Sequence, residues 1–125
     1  MAISPALFSS ATDQHSTPQD LFDQLNAEFN FTLDVCASVW WLPEYPDTLA
    51  TNAKCQTFYS LDHPVVEQRQ DGLQEPWTGN VFCNPPYGRN IRLWLEKAGY
   101  EVAVDNADVV VMLLPVRTDT AWFQD

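Results

Sequence analysis

An apolar, strand-like run at residues 80–83 breaks into Asn84-Pro85-Pro86-Tyr87, and a helical pattern restarts by residue 91. Two adjacent prolines fix φ and remove two backbone donors, so the turn they make is rigid and rich in acceptors. Such a turn suits a planar exocyclic amine, whose lone pair is delocalised into its ring. If Asn84 Oδ1 and the Pro85 carbonyl oxygen each accept one N–H, both hydrogens are drawn to one side and the lone pair concentrates toward an electrophile. The same oxygens stabilise the positive charge that grows on nitrogen during attack, as an oxyanion hole does with the sign inverted. Tyr87 offers a flat face for a ring, worth about 1–3 kcal/mol per stacked base. The plainer alternative is a strand-ending turn that happens to use two prolines. Position favours the chemical reading, because open α/β sheets place their ligands at the C-terminal mouths of parallel strands.

The elements that must hold this turn follow from pattern. Thr17-Pro18-Gln19-Asp20 reads as a helix start, with Thr17 as N-cap and Pro18 at the first helical position. Leu21, Phe22, Leu25 and Phe29 then share a helical face that ends near Asn30. Residues 31–38 read as a strand that turns to small and polar side chains after Asp34. Residues 39–51, VWWLPEYPDTLAT, hold Pro43 and Pro46 and are expected as an ordered loop or a short broken helix. A second short strand is expected at residues 54–60, a polar connection at 62–77 and a third strand at 80–84. Ile91, Leu95, Ala98 and Val102 recur at helical spacing, and ADVVVMLLP at residues 107–115 has the unbroken apolar run of a strand covered on both faces. Strand, helix, strand predicts a parallel crossover and an α/β sheet. A strand so apolar needs neighbours on both sides, and little chain follows it. It is therefore either an edge, with the aggregation hazard an edge carries, or part of the domain is absent. Residues 1–16 have no usable period and read as a flexible arm, leaving residues 17–125 as the domain.

Bulk properties set the class. At 125 residues and 46% hydrophobic, the chain has enough apolar material for the core of one globular domain. No stretch reaches the ~20 apolar residues of a membrane span, and no secretory signal is evident, so a cytoplasmic location is expected. Cys36, Cys55 and Cys83 have neither the number nor the spacing of a disulfide framework or a zinc site, and no metal is expected. The net charge of −11 opposes nucleic acid binding if evenly spread, yet Arg89, Arg92, Lys97 and Arg117 all follow the prolines.

Four segments in order, TPQDLFDQLNAEFNFTLDVCAS, NAKCQTFYS, DGLQEPWTGNVFCNPPYG and VVVMLLPVRTDTAWF, resemble the phage-type DNA N-6-adenine methyltransferases, the Dam-like phage family. They cover most of residues 17–123. The resemblance implies a Rossmann-like class I methyltransferase sheet, largely parallel, with S-adenosylmethionine as methyl donor. It makes Asn84, Pro85, Pro86 and Tyr87 the catalytic turn and puts Thr17 and Pro18 beside the methionine end of the cofactor. Asp34, Cys36, Ala37 and Ser38 become the cofactor loop, and Asp71 lies near the adenine or ribose. Asp34 read alone is a turn or helix cap. A target adenine would be flipped from double-stranded DNA and methylated at N6 directly, with Arg89 and Arg117 on phosphates or bases. Arg92 reads as a solvated or ion-paired helix residue. In a phage or prophage the location would be the host cytoplasm. Three departures stand out: the cofactor loop lacks its glycine-rich form, residues 39–51 look like an insertion, and family members continue past RTDTAWF, so the sheet is expected to lack its last strands. Two alternatives stay open. One is a methyltransferase for another planar nitrogen: cytosine N4, a guanine amine in RNA, or a protein glutamine. The other is a truncated inactive remnant acting as an acidic binding protein.

Overall fold

The computed structural model of the chain describes residues 3–6, 16–86, 88 and 90–114. In chain order the elements are β1 (Ile3–Ala6), α1 (Gln19–Phe29), β2 (Leu33–Asp34), β3 (Val39–Trp41), β4 (Leu49–Thr51), β5 (Gly79–Cys83), α2 (Ile91–Ala103) and β6 (Ala107–Leu113). One turn of 3₁₀ helix, Val66–Gln68, interrupts the long connection before β5. The main sheet has the order β1-β6-β5-β2, and each neighbouring pair is parallel.

The crossover expected from pattern is present. β5 passes through α2 to β6, which lies beside it with Val81 opposite Val110 and Cys83 opposite Met112. Alternation along the strands divides the core into two layers. Val81, Cys83, Val110, Met112 and Leu114 pack with Ile91, Trp94 and Ala98 of α2. Phe82 and Leu113 point the other way, onto Phe22 of α1. The sheet is therefore sandwiched between the two helices, and the last four residues of β6 are buried whichever way they point.

β6 is not an edge strand, since it has a neighbour on each side. Ile3–Ala6, within the segment to which pattern assigned no element, lies parallel to β6 with Ile3 opposite Val110 and Ala6 opposite Leu113. Four residues without amphipathic alternation carry no strand signal of their own, and only the β6 ladder makes them one.

Three local expectations change. Residues 39–51 form neither a loop nor a broken helix but an antiparallel hairpin, with Trp40 opposite Ala50 and Trp41 opposite Leu49. Pro43 and Pro46 fall in its connection, which Leu42 and Thr48 close by a 2.9 Å backbone bond, so neither ring occupies a ladder position. The segment expected as a second strand makes a single bridge, Phe58 to Asp34. On α2 the expected stripe of Ile91, Leu95, Ala98 and Val102 does pack on the core, Leu95 and Val102 at its margin, but Trp94 and Glu101 are buried with Ile91 and Ala98, which turns the buried face toward them. The reason is polar: Glu101 faces inward because its carboxylate accepts hydrogen bonds from Trp77 N at 3.0 Å, Asn106 Nδ2 at 3.0 Å and Lys97 Nζ at 2.8 Å.

α1 ends as its sequence suggests, with Asn30 left-handed at φ 52°. Asn80 of β5 takes up the freed carbonyls of Phe29 and Asn30 through its Nδ2, at 2.8 and 3.1 Å. Its start differs from expectation. Pro18 occupies the N-cap position and its carbonyl accepts the first helical bond from Phe22 N at 3.1 Å, while Thr17 is not the cap. Among the described residues, no helix is long and apolar enough to cross a membrane.

Candidate functional site

β2 and β5 are parallel neighbours with Asp34 opposite Phe82, so their C-terminal ends open side by side. The loop after β2 carries three of the expected cofactor residues, and the turn after β5 carries the prolines.

Asp34 shapes the first loop. Its Oδ1 accepts from Cys36 N at 3.2 Å and its Oδ2 from Lys54 N at 2.9 Å, so both carboxylate oxygens hold backbone. The main chain beside it is equally tied: Val35 N donates to Phe82 O, Ala37 N to Tyr59 O and Tyr59 N to Asp34 O, all within 3.2 Å. Burial pushes the Asp34 carboxyl up from its usual range, opposed by the amides of Lys54 and Cys36 and by the Lys54 charge. Ser38 is clamped next, its N–H donating to Asn52 Oδ1 at 2.7 Å and its carbonyl accepting from Thr51 Oγ1 at 2.7 Å. This fixes Asn52 against the loop, and its own N–H donates to the Ser38 carbonyl.

A cavity of about 220 Å³ lies against this loop. Residues 35–38 form one wall; Asp62, Asp71 and Gly72 form another; Tyr59, Leu61, Trp94 and Pro86 complete the lining. Cys36, Ala37, Ser38, Asp71 and Pro86, drawn from three distant stretches of chain, are thus brought together. Asp34 does not line the cavity; it sits behind the wall and sets its shape.

The second wall is an Asx-type turn, in which Asp71 Oδ1 accepts from Leu73 N at 2.9 Å. Gly72 is required there. A Cβ would collide with the Val35 carbonyl oxygen and approach Trp94 Cη2 to 2.9 Å. The Gly72 carbonyl accepts from Trp77 Nε1 at 2.7 Å, and Trp77 is wholly buried.

Two carboxylates, Asp62 and Asp71, face the cavity, with that of Asp34 behind. Their effect is visible on Cys36, whose thiol is pushed up to about 12, first by burial and then by Asp34, Asp62 and Asp71. That thiol is fully protonated near neutrality and is no nucleophile.

At the end of β5, Asn84 and Thr17 are both buried, and Asn84 Nδ2 donates to Thr17 Oγ1 at 3.0 Å across 67 residues of sequence. Pro85 is fully buried and Pro86 reaches the cavity. Pro18, the neighbour of Thr17, is exposed. Tyr87, Arg89 and Arg117 lie outside the described residues.

Sequence reasoning missed Tyr59, Leu61, Asp62, Gly72 and Trp94. Asp62 looked like an ordinary turn acid in a polar connection; its Oδ1 does accept from Ser60 Oγ at 2.7 Å. Trp94 carried the one available signal, since it falls three residues after Ile91 on the buried face of α2.

A family model described as DNA N-6-adenine-methyltransferase (Dam) matches residues 5–125. No curated protein and no solved structure matches the chain.

Proposed function

The chain belongs to the DNA N-6-adenine-methyltransferase (Dam) family, and from that premise we propose that it transfers a methyl group from S-adenosylmethionine to N6 of an adenine flipped out of double-stranded DNA. The observation that carries this reading is the meeting of Pro86 with residues 36–38 and Asp71 at one cavity, at the C-terminal ends of adjacent parallel strands.

The lining suits that cofactor. Asp62 and Asp71 supply the negative field that a sulfonium and an ammonium require, and their free lone pairs suit ribose hydroxyls. Ala37 and Ser38 leave the backbone approachable, and Tyr59 and Trp94 offer flat faces for an adenine ring. The volume is below the ~300–1,000 Å³ that encloses a whole drug-sized ligand, so the cavity takes one end of the molecule. When bound, the cofactor supplies a methyl group on positively charged sulfur.

The chain's own residues hold the acceptor. Asn84 Oδ1 and the Pro85 carbonyl oxygen accept the two N–H bonds of the adenine amine and stabilise the charge that grows there. Burial of Asn84 and Pro85 excludes water from that point. Tyr87 stacks on the flipped ring, and the stack offsets part of the few kcal/mol that flipping costs. Arg89 and Arg117 meet phosphates, the contacts through which an acidic chain overcomes its own repulsion. Cys36, fully protonated, takes no part, and transfer proceeds without a covalent enzyme intermediate.

The test is transfer of labelled methyl from S-adenosylmethionine to unmodified duplex DNA, followed by nucleoside analysis. N6-methyladenine is the expected product, and Asn84→Ala should lower kcat by about 10²–10³, as loss of a preorganised charge-stabilising group does. Label in N4-methylcytosine, or full activity in the variant, would refute the proposal.

A further inference from the structure

We infer that the chain has a second ligand site, separate from the cavity of the proposed methyl transfer, and that it takes an uncharged adenine nucleoside. The site is a cavity of about 520 Å³ at the outer edge of the sheet, between residues 56–60 and residues 63–70. That volume is within the ~300–1,000 Å³ that encloses a small organic ligand. The two cavities share a wall. Tyr59 and Leu61 line the first, while Phe58 and Ser60 line the second.

The bridge between Phe58 and Asp34 decides which backbone groups the second cavity receives. Asp34 N donates to Thr57 O at 3.1 Å and Tyr59 N to Asp34 O at 2.9 Å. In a strand the N–H and C=O of one residue point to one edge and those of its neighbours to the other. The N–H and C=O of Phe58 therefore point away from β2, and neither carries a hydrogen bond among the described residues. Gln70 N occupies the Ser60 carbonyl at 3.0 Å and closes the edge beyond Phe58. What stays open is too short for an added strand, which draws its affinity from a run of main-chain bonds. It suits a compact planar molecule that presents an acceptor and a donor side by side, as the edge of a nucleobase does.

The side chains narrow the choice. Gln56, Gln68 and Gln70 bring carboxamides, the group that pairs bidentately with N6 and N7 of adenine. Ser60 and His63 are buried and line the same cavity. Ser60 Oγ donates to the Asp62 carboxylate at 2.7 Å, so toward a ligand it accepts. His63 Nδ1 accepts from Val65 N at 3.0 Å, so its hydrogen is on Nε2 and the ring has a donor to offer. Charge excludes a nucleotide. Among the described residues no Lys or Arg lines the cavity, whereas Glu67 does, and the nearby Arg69 directs its Nε to the His63 carbonyl at 2.7 Å. A phosphate would meet a carboxylate and no cation.

The test is titration of the uniformly ¹⁵N-labelled full chain with adenosine, followed by NMR, with S-adenosylmethionine in excess to keep adenosine from the first cavity. Shifts are expected at the Phe58 amide and at the side-chain NH₂ groups of Gln68 and Gln70. N6,N6-dimethyladenosine, which has lost the donor, should bind about tenfold more weakly, and adenosine 5′-monophosphate at least about tenfold more weakly. Gln68→Trp fills the cavity from an exposed position and should abolish the Phe58 shift. Gln70→Ala keeps the backbone bond to Ser60, removes one carboxamide and should weaken binding severalfold. Shifts confined to residues 36–38 and 71–72 would put adenosine in the first cavity and overturn the inference. Equal binding of the monophosphate, or binding unchanged in both variants, would overturn it too. The location of the shifts is read without turnover, so absence of methyl transfer would overturn the proposed function and leave this site standing.

Discussion

Replacing Gly72 by alanine adds one methyl group, and the structure determines where it goes. The new Cβ meets the Val35 carbonyl oxygen well inside contact distance and two ring atoms of Trp94 at 2.9 and 3.0 Å. Neither neighbour yields easily. Val35 is pinned by its own N–H to Phe82 O at 3.2 Å, and Trp94 is packed against Trp77 with ring centroids 6.2 Å apart. The turn at residues 71–75 must therefore move. Overpacking of this kind costs about 1–3 kcal/mol. Movement also stretches the 2.7 Å bond from Trp77 Nε1 to Gly72 O, and an unsatisfied donor on a wholly buried indole adds about 1–3 kcal/mol. The sum, about 2–6 kcal/mol, is a large share of the 5–15 kcal/mol by which such domains are stable. Urea denaturation of the full chain with tryptophan fluorescence measures it, and calorimetric titration with S-adenosylmethionine should show binding at least about tenfold weaker, because Asp71 and Gly72 form one wall of the cavity. A variant within about 0.5 kcal/mol of wild type, binding the cofactor equally well, would refute both the tight packing and the location of the site.

Two further outcomes concern titrating groups. Burial raises the Glu101 carboxyl, but hydrogen bonds from Lys97, the Trp77 amide and Asn106, with the Lys97 charge, outweigh it and leave the group below its ordinary value of 4.5. A depressed pKa in the folded state means that the stabilisation is fully present above the unfolded value and is lost as pH falls through the folded one. Urea titrations between pH 6 and pH 3 should show Glu101→Gln losing part of the wild type's acid sensitivity, whereas Glu101→Ala, which strands the buried Trp77 N–H and Lys97, should cost about 3–5 kcal/mol at pH 7; identical pH profiles would contradict the assignment. For Cys36, a thiol at about 12 holds a thiolate fraction on the order of 10⁻⁴ at pH 8, against about a quarter for an ordinary cysteine. Iodoacetamide should alkylate it on the order of a thousandfold more slowly in the native chain than in urea, as read by peptide mass spectrometry, and equal rates would show that the loop is open.

What could be read from sequence was what a short window contains. The crossover from β5 through α2 to β6 is legible because each piece carries its own period or apolar run, and Asn84-Pro85-Pro86 because paired prolines are rare and chemically pointed. β1 and the hairpin of β3 and β4 were not legible: four residues at 3–6 and a proline-broken stretch at 39–51 become strands only through partners that a window does not include. The cavity had the same limitation. Tyr59 and Asp62 resemble strand and turn residues until the backbone bonds of residues 57–59 to Asp34 and Ala37 fold their segment over the loop.

Asp34 shows how the two kinds of information combine. The loop after β2 lacks the glycines with which such loops usually approach a ligand closely, and from sequence this reads as a loss. Glycine allows such a loop its shape but leaves it flexible in the unfolded chain, at an entropic cost on folding. Here the shape is imposed instead: one buried carboxylate holds the amides of Cys36 and Lys54, and Ala37 and Ser38 supply the small side chains that keep the wall open. The turn-forming role that Asp34 suggested on its own is therefore compatible with the cofactor role its family resemblance implied. By forming the turn it builds the wall, and its charge, one layer back, adds to the field of Asp62 and Asp71.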